Sequence, residues 1–233
     1  MDPFSSRREE RWNARTHGVG FVLALAAFPF LILSAASRSD GFGVVGTVIF
    51  GLAMLLMLGA STAYHASIDP ERRRILQMVD HMSIYILIAG SYTPICMTTL
   101  RGPWGWSLLG TVWAMALTGI LLKTRFTGRY NGLSTAIYLI MGWLCLIAVV
   151  PMVQLLRWET LTVLVFAGLS FTLGVFFYVH DRRSGFHLAW HIFVMLGCLG
   201  LYCAVFLEIY AVPKWVLATL SNPPAMASIS GPG

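Results

Sequence analysis

Charge is scarce in this sequence. Only 11% of its 233 residues are Asp, Glu, Lys or Arg, whereas 57% are hydrophobic and the mean hydropathy is +0.73. A soluble domain has about 25% charged residues. The deficit therefore argues against an ordinary soluble domain and predicts an integral membrane protein.

The sequence also lacks a cysteine framework and any strand-like alternation. Its four cysteines all lie in apolar runs, and it has no CxxC motif, which argues against both a disulfide scaffold and a thiol redox pair. Transmembrane β-strands alternate over about 10 residues, and none of the apolar segments does so. The cysteines are Cys96, Cys145, Cys198 and Cys203.

What the sequence does contain is a series of long stretches with almost no charge. Each is long enough for a helix to cross a bilayer, which takes about 20 residues. We therefore predict an all-α membrane protein, a bundle of seven transmembrane helices. The stretches cover roughly residues 18–37, 41–68, 75–100, 102–122, 130–156, 160–179 and 184–207. The boundary between the third and fourth rests on a turn at Arg101, Gly102 and Pro103.

The basic residues predict the orientation. Twelve of the 16 Lys and Arg residues fall before span 1 or in the loops after spans 2, 4 and 6, and four fall on the other side. By the positive-inside rule the N-terminus is cytoplasmic and the C-terminus lies outside. The net charge of +6 is thus a topology signal, and we predict no nucleic-acid partner.

Three regions follow along the chain. We predict a cytoplasmic N-terminal segment (1–16), a transmembrane domain (17–212) and a flexible tail (213–233). Ala35-Ala36-Ser37 resembles a signal-peptide cleavage site, but the long, partly acidic N-terminal region favours a retained first span. The sequence leaves the oligomeric state open, since Gly46 and Gly51, like Gly197 and Gly200, lack GxxxG spacing.

Ionisable residues inside spans are costly and therefore mark candidate functional sites. With the predicted topology, all of them except Glu208 lie at one depth, in the cytoplasmic half of the membrane. We expect His81 to be a packing residue, His17 to cap or hydrogen-bond at the entrance of span 1, and Glu208 to be interfacial. The group at the shared depth is His65, Asp80, His81, His187 and His191.

Spacing predicts a zinc site within this group. His187 and His191 are four residues apart, share a helix face and can both reach one ion. His65 supplies a third imidazole, and three histidines with an open position are typical of catalytic zinc. Ser61 lies on the same face as His65. Asp80 is the one carboxylate at this depth, and it can orient a water or accept its proton.

Four blocks resemble the signatures of bacterial haemolysin III proteins. These belong to the progestin and adipoQ receptor family, within a superfamily that includes alkaline ceramidases. The resemblance runs from about residue 9 to 210. It implies a seven-helix bundle with zinc near the cytoplasmic face, held by His65, His187 and His191, with Asp80 and Ser61 beside it. The blocks are "EERWNARTHGVG" (9–20), "STAYHAS" (61–67), "DHMSIYILIAGSYTP" (80–94) and "HLAWH" (187–191).

Three classes of function remain open from the sequence. The resemblance to ceramidases implies a zinc-dependent hydrolase of lipid amides in the plasma (inner) membrane, with a membrane lipid or fatty-acyl chain as its ligand. A zinc protein that senses membrane state without turnover is the second class. A cytolytic pore is the third.

Overall fold

The computed structural model describes residues 7–126 and 131–210, and all regular structure in these ranges is helical. A 3₁₀ segment, Leu144–Ala148, separates the fifth and sixth α-helices. The α-helices are α1 (Arg7–Arg38), α2 (Gly41–Ala66), α3 (Pro70–Met97), α4 (Pro103–Phe126), α5 (Asn131–Trp143), α6 (Val149–Leu155), α7 (Trp158–Val179) and α8 (Phe186–Tyr210).

Six helical segments in these ranges are long and apolar enough to cross a membrane: α1, α2, α4, α5 with α6, α7 and α8. Helix α3 has the length, at 28 residues, but its first two turns contain three arginines, Arg72 to Arg74, and it carries Asp80 and His81. The predicted all-helical architecture is confirmed for the described residues, and the six segments fit a multi-pass membrane protein. The count of seven spans and the orientation of the termini stay predictions, and the tail 213–233 lies outside the described residues.

The helices form a closed ring. Each packs against its neighbour in the chain from α1 to α4, then α4 contacts α5, α5 contacts α7, α7 contacts α8, and α8 returns to α1. Helix α3 also contacts α8. Because the first and last helices are neighbours, residues near the start and end of the chain can meet in one site.

Helix α1 shows how sequence spacing builds this packing. Its buried positions recur every three or four residues, which is the repeat of a single helical face. Towards Arg38 that face is apolar and includes Phe28 and Leu31, whereas towards Arg7 it is polar. The polar part consists of Glu10, Asn13 and His17. The residues from Arg7 to Thr16, predicted as a separate segment, are the first turns of this helix.

The fifth predicted span is not one continuous α-helix. The chain changes to 3₁₀ geometry at Leu144 and resumes α geometry at Val149. Pro151 explains the change, because it has no N–H to donate to the carbonyl four residues earlier and its ring crowds that carbonyl. The apolar pattern predicted the length of this span, but not the interruption.

The α1–α2 and α3–α4 loops, at the end of the bundle opposite the polar part of α1, are joined by an ion pair. Asp40 caps α2 by accepting a hydrogen bond from the Gly43 N–H (3.1 Å), and it pairs with Arg101 (2.7 Å). Hydrogen bonding to Arg101, and then to the Gly43 N–H, lowers the pKa of Asp40. The predicted turn after α3 is confirmed, since α4 begins at Pro103 after Gly102, whose φ of +143° favours glycine.

Orientation can be tested with reporter fusions on either side of α8. A fusion after Arg182 should be active with a cytoplasmic reporter, and a fusion after Pro213 only with a reporter that works outside. The reason is the positive-inside distribution of Lys and Arg. Cytoplasmic activity at both sites would remove a span from the seven-helix topology.

Candidate metal centre

Three histidines from two helices converge at one end of the bundle. His65 lies in the last turn of α2, whereas His187 and His191 occupy the first two turns of α8. Each offers a ring nitrogen, and these nitrogens all lie within 4.8 Å of one another. The ring centroids are 4.8 to 5.1 Å apart. We call these three residues the histidine cluster.

The cluster fits a metal ion. In a tetrahedral zinc site, nitrogens about 2.0–2.1 Å from the ion are about 3.4 Å from one another, so small side-chain rotations would bring these imidazoles into place. Three nitrogen ligands leave one coordination position open. Imidazole also suits copper, iron and nickel. The arrangement therefore establishes a capacity to hold a metal ion, and not which ion it is.

A cavity of about 100 Å³ opens beside the cluster. His187 and His191 lie on its wall, and so do Asp80 from α3 and Ser61 from α2. The Ser61 hydroxyl faces the Asp80 carboxylate. This volume is enough for several water molecules. Four of the five predicted site residues thus line one space, and the fifth, His65, joins it through the histidine cluster. The roles assigned to them stay predictions.

A carboxylate that the sequence analysis did not single out contacts the cluster. Glu10 of α1 lies 2.7 Å from Nδ1 of His65 through one oxygen and accepts a hydrogen bond from Arg73 of α3 (2.7 Å) through the other. All three side chains are buried, with residue exposures of 5–7%. The Arg73 guanidinium also stacks on the ring of Tyr64, 4.5 Å from its centroid.

The other two histidines of the cluster have oxygen neighbours as well. Thr16 Oγ1 is 3.4 Å from Nδ1 of His191, and Asp181 Oδ2 is 3.6 Å from Nδ1 of His187. In each histidine the Nδ1 atom therefore faces an oxygen atom. Oxygen neighbours at Nδ1 leave Nε2 as the nitrogen available to an ion.

His17 occupies a different place from the one predicted. Its ring stacks on that of His191, with centroids 3.9 Å apart and planes 12° from parallel, and it lines the same cavity. Neither ring nitrogen has a hydrogen-bond partner among the described residues. The prediction that it caps or hydrogen-bonds at the entrance of span 1 is therefore wrong. The three- and four-residue spacing of Glu10, Asn13 and His17 was the signal that could have placed them on one buried face.

The remaining ionisable residues lie beside or away from the cluster. His81 lines the cavity, and its backbone carbonyl accepts a hydrogen bond from Tyr138 (2.8 Å). Glu208 is near the far end of α8, where it accepts hydrogen bonds from Thr99 and Thr160.

Comparison with known proteins identifies the family of this chain. The family model described as Haemolysin-III related matches residues 5–202. The chain belongs to the haemolysin III family. Hemolysin-3 homolog from Bacillus subtilis (strain 168) is 39% identical over 206 residues, which are 88% of this chain and 97% of the relative. Hemolysin-3 from Bacillus cereus is 36% identical over 200 residues, which are 85% of this chain and 91% of the relative.

Metal content after substitution tests the cluster. The purified protein should hold about one divalent metal ion per chain, and His187→Ala should lose most of it because two imidazoles make a weak site. His180→Ala is the matched control, since His180 is exposed and bonds the carbonyl of Phe176 outside the cluster. Elemental analysis of both variants measures the metal content per chain. Full metal retention in His187→Ala would contradict the three-histidine site.

Proposed function

We propose that this haemolysin III family protein is a zinc-dependent hydrolase of lipid amides, with its metal centre in the cytoplasmic half of the plasma membrane. The observation that carries the proposal is a second cavity that adjoins the metal-site cavity. The two cavities share six wall residues: Met57, His81, Ile84, Tyr178, Trp190 and Val194.

The second cavity suits an acyl chain. It has a volume of about 170 Å³, and its walls are mostly apolar side chains from α3, α5, α7 and α8. Its lining extends from His81, which also lines the metal-site cavity, to Leu100 and Leu108 towards the opposite end of the bundle. A hydrocarbon chain in this space would place the bond at its head beside the histidine cluster.

The chemistry of the site supports hydrolysis. A zinc ion held by three imidazoles supplies Lewis acidity that polarises a carbonyl and makes water more acidic. Asp80 accepts the proton of the attacking water as the water oxygen bonds to the amide carbon. The Ser61 hydroxyl donates a hydrogen bond to the carbonyl oxygen as negative charge develops there. Asp80 then returns the proton to the nitrogen as the carbon–nitrogen bond breaks, giving a carboxylic acid and an amine.

The two other function classes make different demands. A sensor would use the same metal and the same lipid cavity without turnover, so only an activity measurement separates it from an enzyme. The relatives carry the name haemolysin, which suggests a pore. The apolar walls of the larger cavity favour a hydrocarbon ligand over a column of water and ions.

Removing the proton acceptor tests the hydrolase. Asp80→Asn keeps the size of the side chain but cannot take up a proton, so we expect hydrolysis to fall by about 10²–10⁴-fold. Long-chain lipid amides in detergent are the substrates, and released fatty acid is measured by mass spectrometry on zinc-loaded protein. Asp40→Asn, in the opposite loops, is the control and should stay active. Equal release by Asp80→Asn and the unaltered protein would exclude Asp80 as the base, and release by neither would favour the sensor.

Filling the larger cavity with a bulkier side chain tests whether the acyl chain of the substrate lies there. Ser91 lines it from α3, and its hydroxyl donates only to the Ile88 carbonyl in its own helix (2.8 Å). Ser91→Phe should therefore shift the preference towards shorter acyl chains while metal content is unchanged, and Ser91→Ala should leave the preference as it is. The measurement is the rate of hydrolysis across a series of chain lengths. If the dependence of rate on acyl-chain length is unchanged in Ser91→Phe, the acyl chain does not lie in this cavity.

A further inference from the structure

The buried Glu10 has no part in the hydrolysis steps, yet it contacts a member of the histidine cluster. Its two carboxylate oxygens have different partners, His65 on α2 and Arg73 on α3. A carboxylate this deeply buried is stable only when it is paired and hydrogen-bonded. The side chain therefore has a fixed position, and it can fix the imidazole that it contacts.

We propose that Glu10 is a positioning residue of the metal centre, an inference that rests on the metal-binding part of the proposed function. Glu10 accepts the Nδ1–H of His65 and so holds this ring in the tautomer whose Nε2 atom carries a free lone pair. It also fixes the rotation of the ring, so that Nε2 is directed towards His187 and His191. The negative charge makes the imidazole a stronger electron donor to a metal.

Arg73 holds Glu10 in turn. Its guanidinium bonds the second carboxylate oxygen, stacks on Tyr64 and lies within reach of the carbonyl of Ser67 (3.4 Å). The metal ligand on α2 is thus fixed by a carboxylate from α1, and this carboxylate is fixed by the first turn of α3. Thr16 and Asp181 approach the other two histidines at 3.4 and 3.6 Å. Glu10, at 2.7 Å, is the closest of the three oxygen neighbours.

The test is metal affinity, which does not depend on any substrate. In Glu10→Gln the amide cannot accept hydrogen bonds from both His65 and Arg73, and the charge is lost. We expect zinc affinity, measured by competition with a chelator, to fall by about 10–100-fold. Glu159→Gln is the control, since Glu159 lies in the first turn of α7 and pairs with Arg157 (2.9 Å) at the end of the bundle opposite the cluster. It should bind zinc as the unaltered protein does.

A second variant and a spectrum separate positioning from general support of the fold. Arg73→Met leaves the Glu10–His65 contact but removes the residue that holds Glu10, so zinc affinity should fall, and by less than in Glu10→Gln. Combining it with Glu10→Gln should restore part of the affinity, because the amide carbonyl is then free for His65. With saturating Co²⁺, the visible absorption bands should shift in Glu10→Gln and return towards the spectrum of the unaltered protein in the double variant.

The outcomes are distinct. Unchanged zinc affinity and an unchanged cobalt spectrum in Glu10→Gln would overturn the positioning role and leave the hydrolase proposal standing. Parallel losses of affinity and melting temperature in Glu10→Gln and Arg73→Met, with no recovery of affinity in the double variant, would also overturn it, since Glu10 would then be a structural contact. An absence of zinc binding in the unaltered protein would overturn both proposals. A loss of affinity in Glu10→Gln that the double variant partly recovers supports the inference even if no amide is hydrolysed.

Discussion

The contact of one carboxylate with an imidazole and a guanidinium holds the polar end of this bundle together. Burying Glu10 alone would be strongly unfavourable, and burying Arg73 alone would be too, so each requires the other. His65 occupies the remaining carboxylate oxygen. Helices α1, α2 and α3 therefore have one favourable relative position at this end, and the cavity beside the cluster depends on it.

The same constraint explains why polar residues are confined to one region. Apolar helix faces can slide against one another at little cost, because many registers bury similar surface. An ion pair between two helices is compatible with far fewer registers, because its charged atoms must stay within hydrogen-bond distance. The apolar part of the α1 face, with Phe28 and Leu31, supplies burial. The polar part, with Glu10 and His17, fixes the position of α1 along its neighbouring helices, which the apolar part alone does not do.

The sequence predicted the histidine cluster for a physical reason. His187 and His191 are related by helix geometry alone, and His65 was identified because an imidazole inside an apolar run is costly. Glu10 and Arg73 were counted only as charges flanking the spans, since their pairing joins residues 63 positions apart and depends on how the helices pack. The larger cavity could not be predicted, because side chains that face lipid and side chains that face a cavity are equally apolar. Pro151 was visible in the sequence, but hydropathy takes no account of a missing N–H.

The order of the ligands along the chain has a consequence for biosynthesis. Helix α2 supplies one histidine early, whereas α8, the last of the described helices, supplies the other two. A ribosome that has made the chain as far as α7 has produced one imidazole of the three and no pair. The nascent protein therefore cannot hold a metal ion at this centre during synthesis. A metal ion can enter this centre only after α8 has reached its place beside α1.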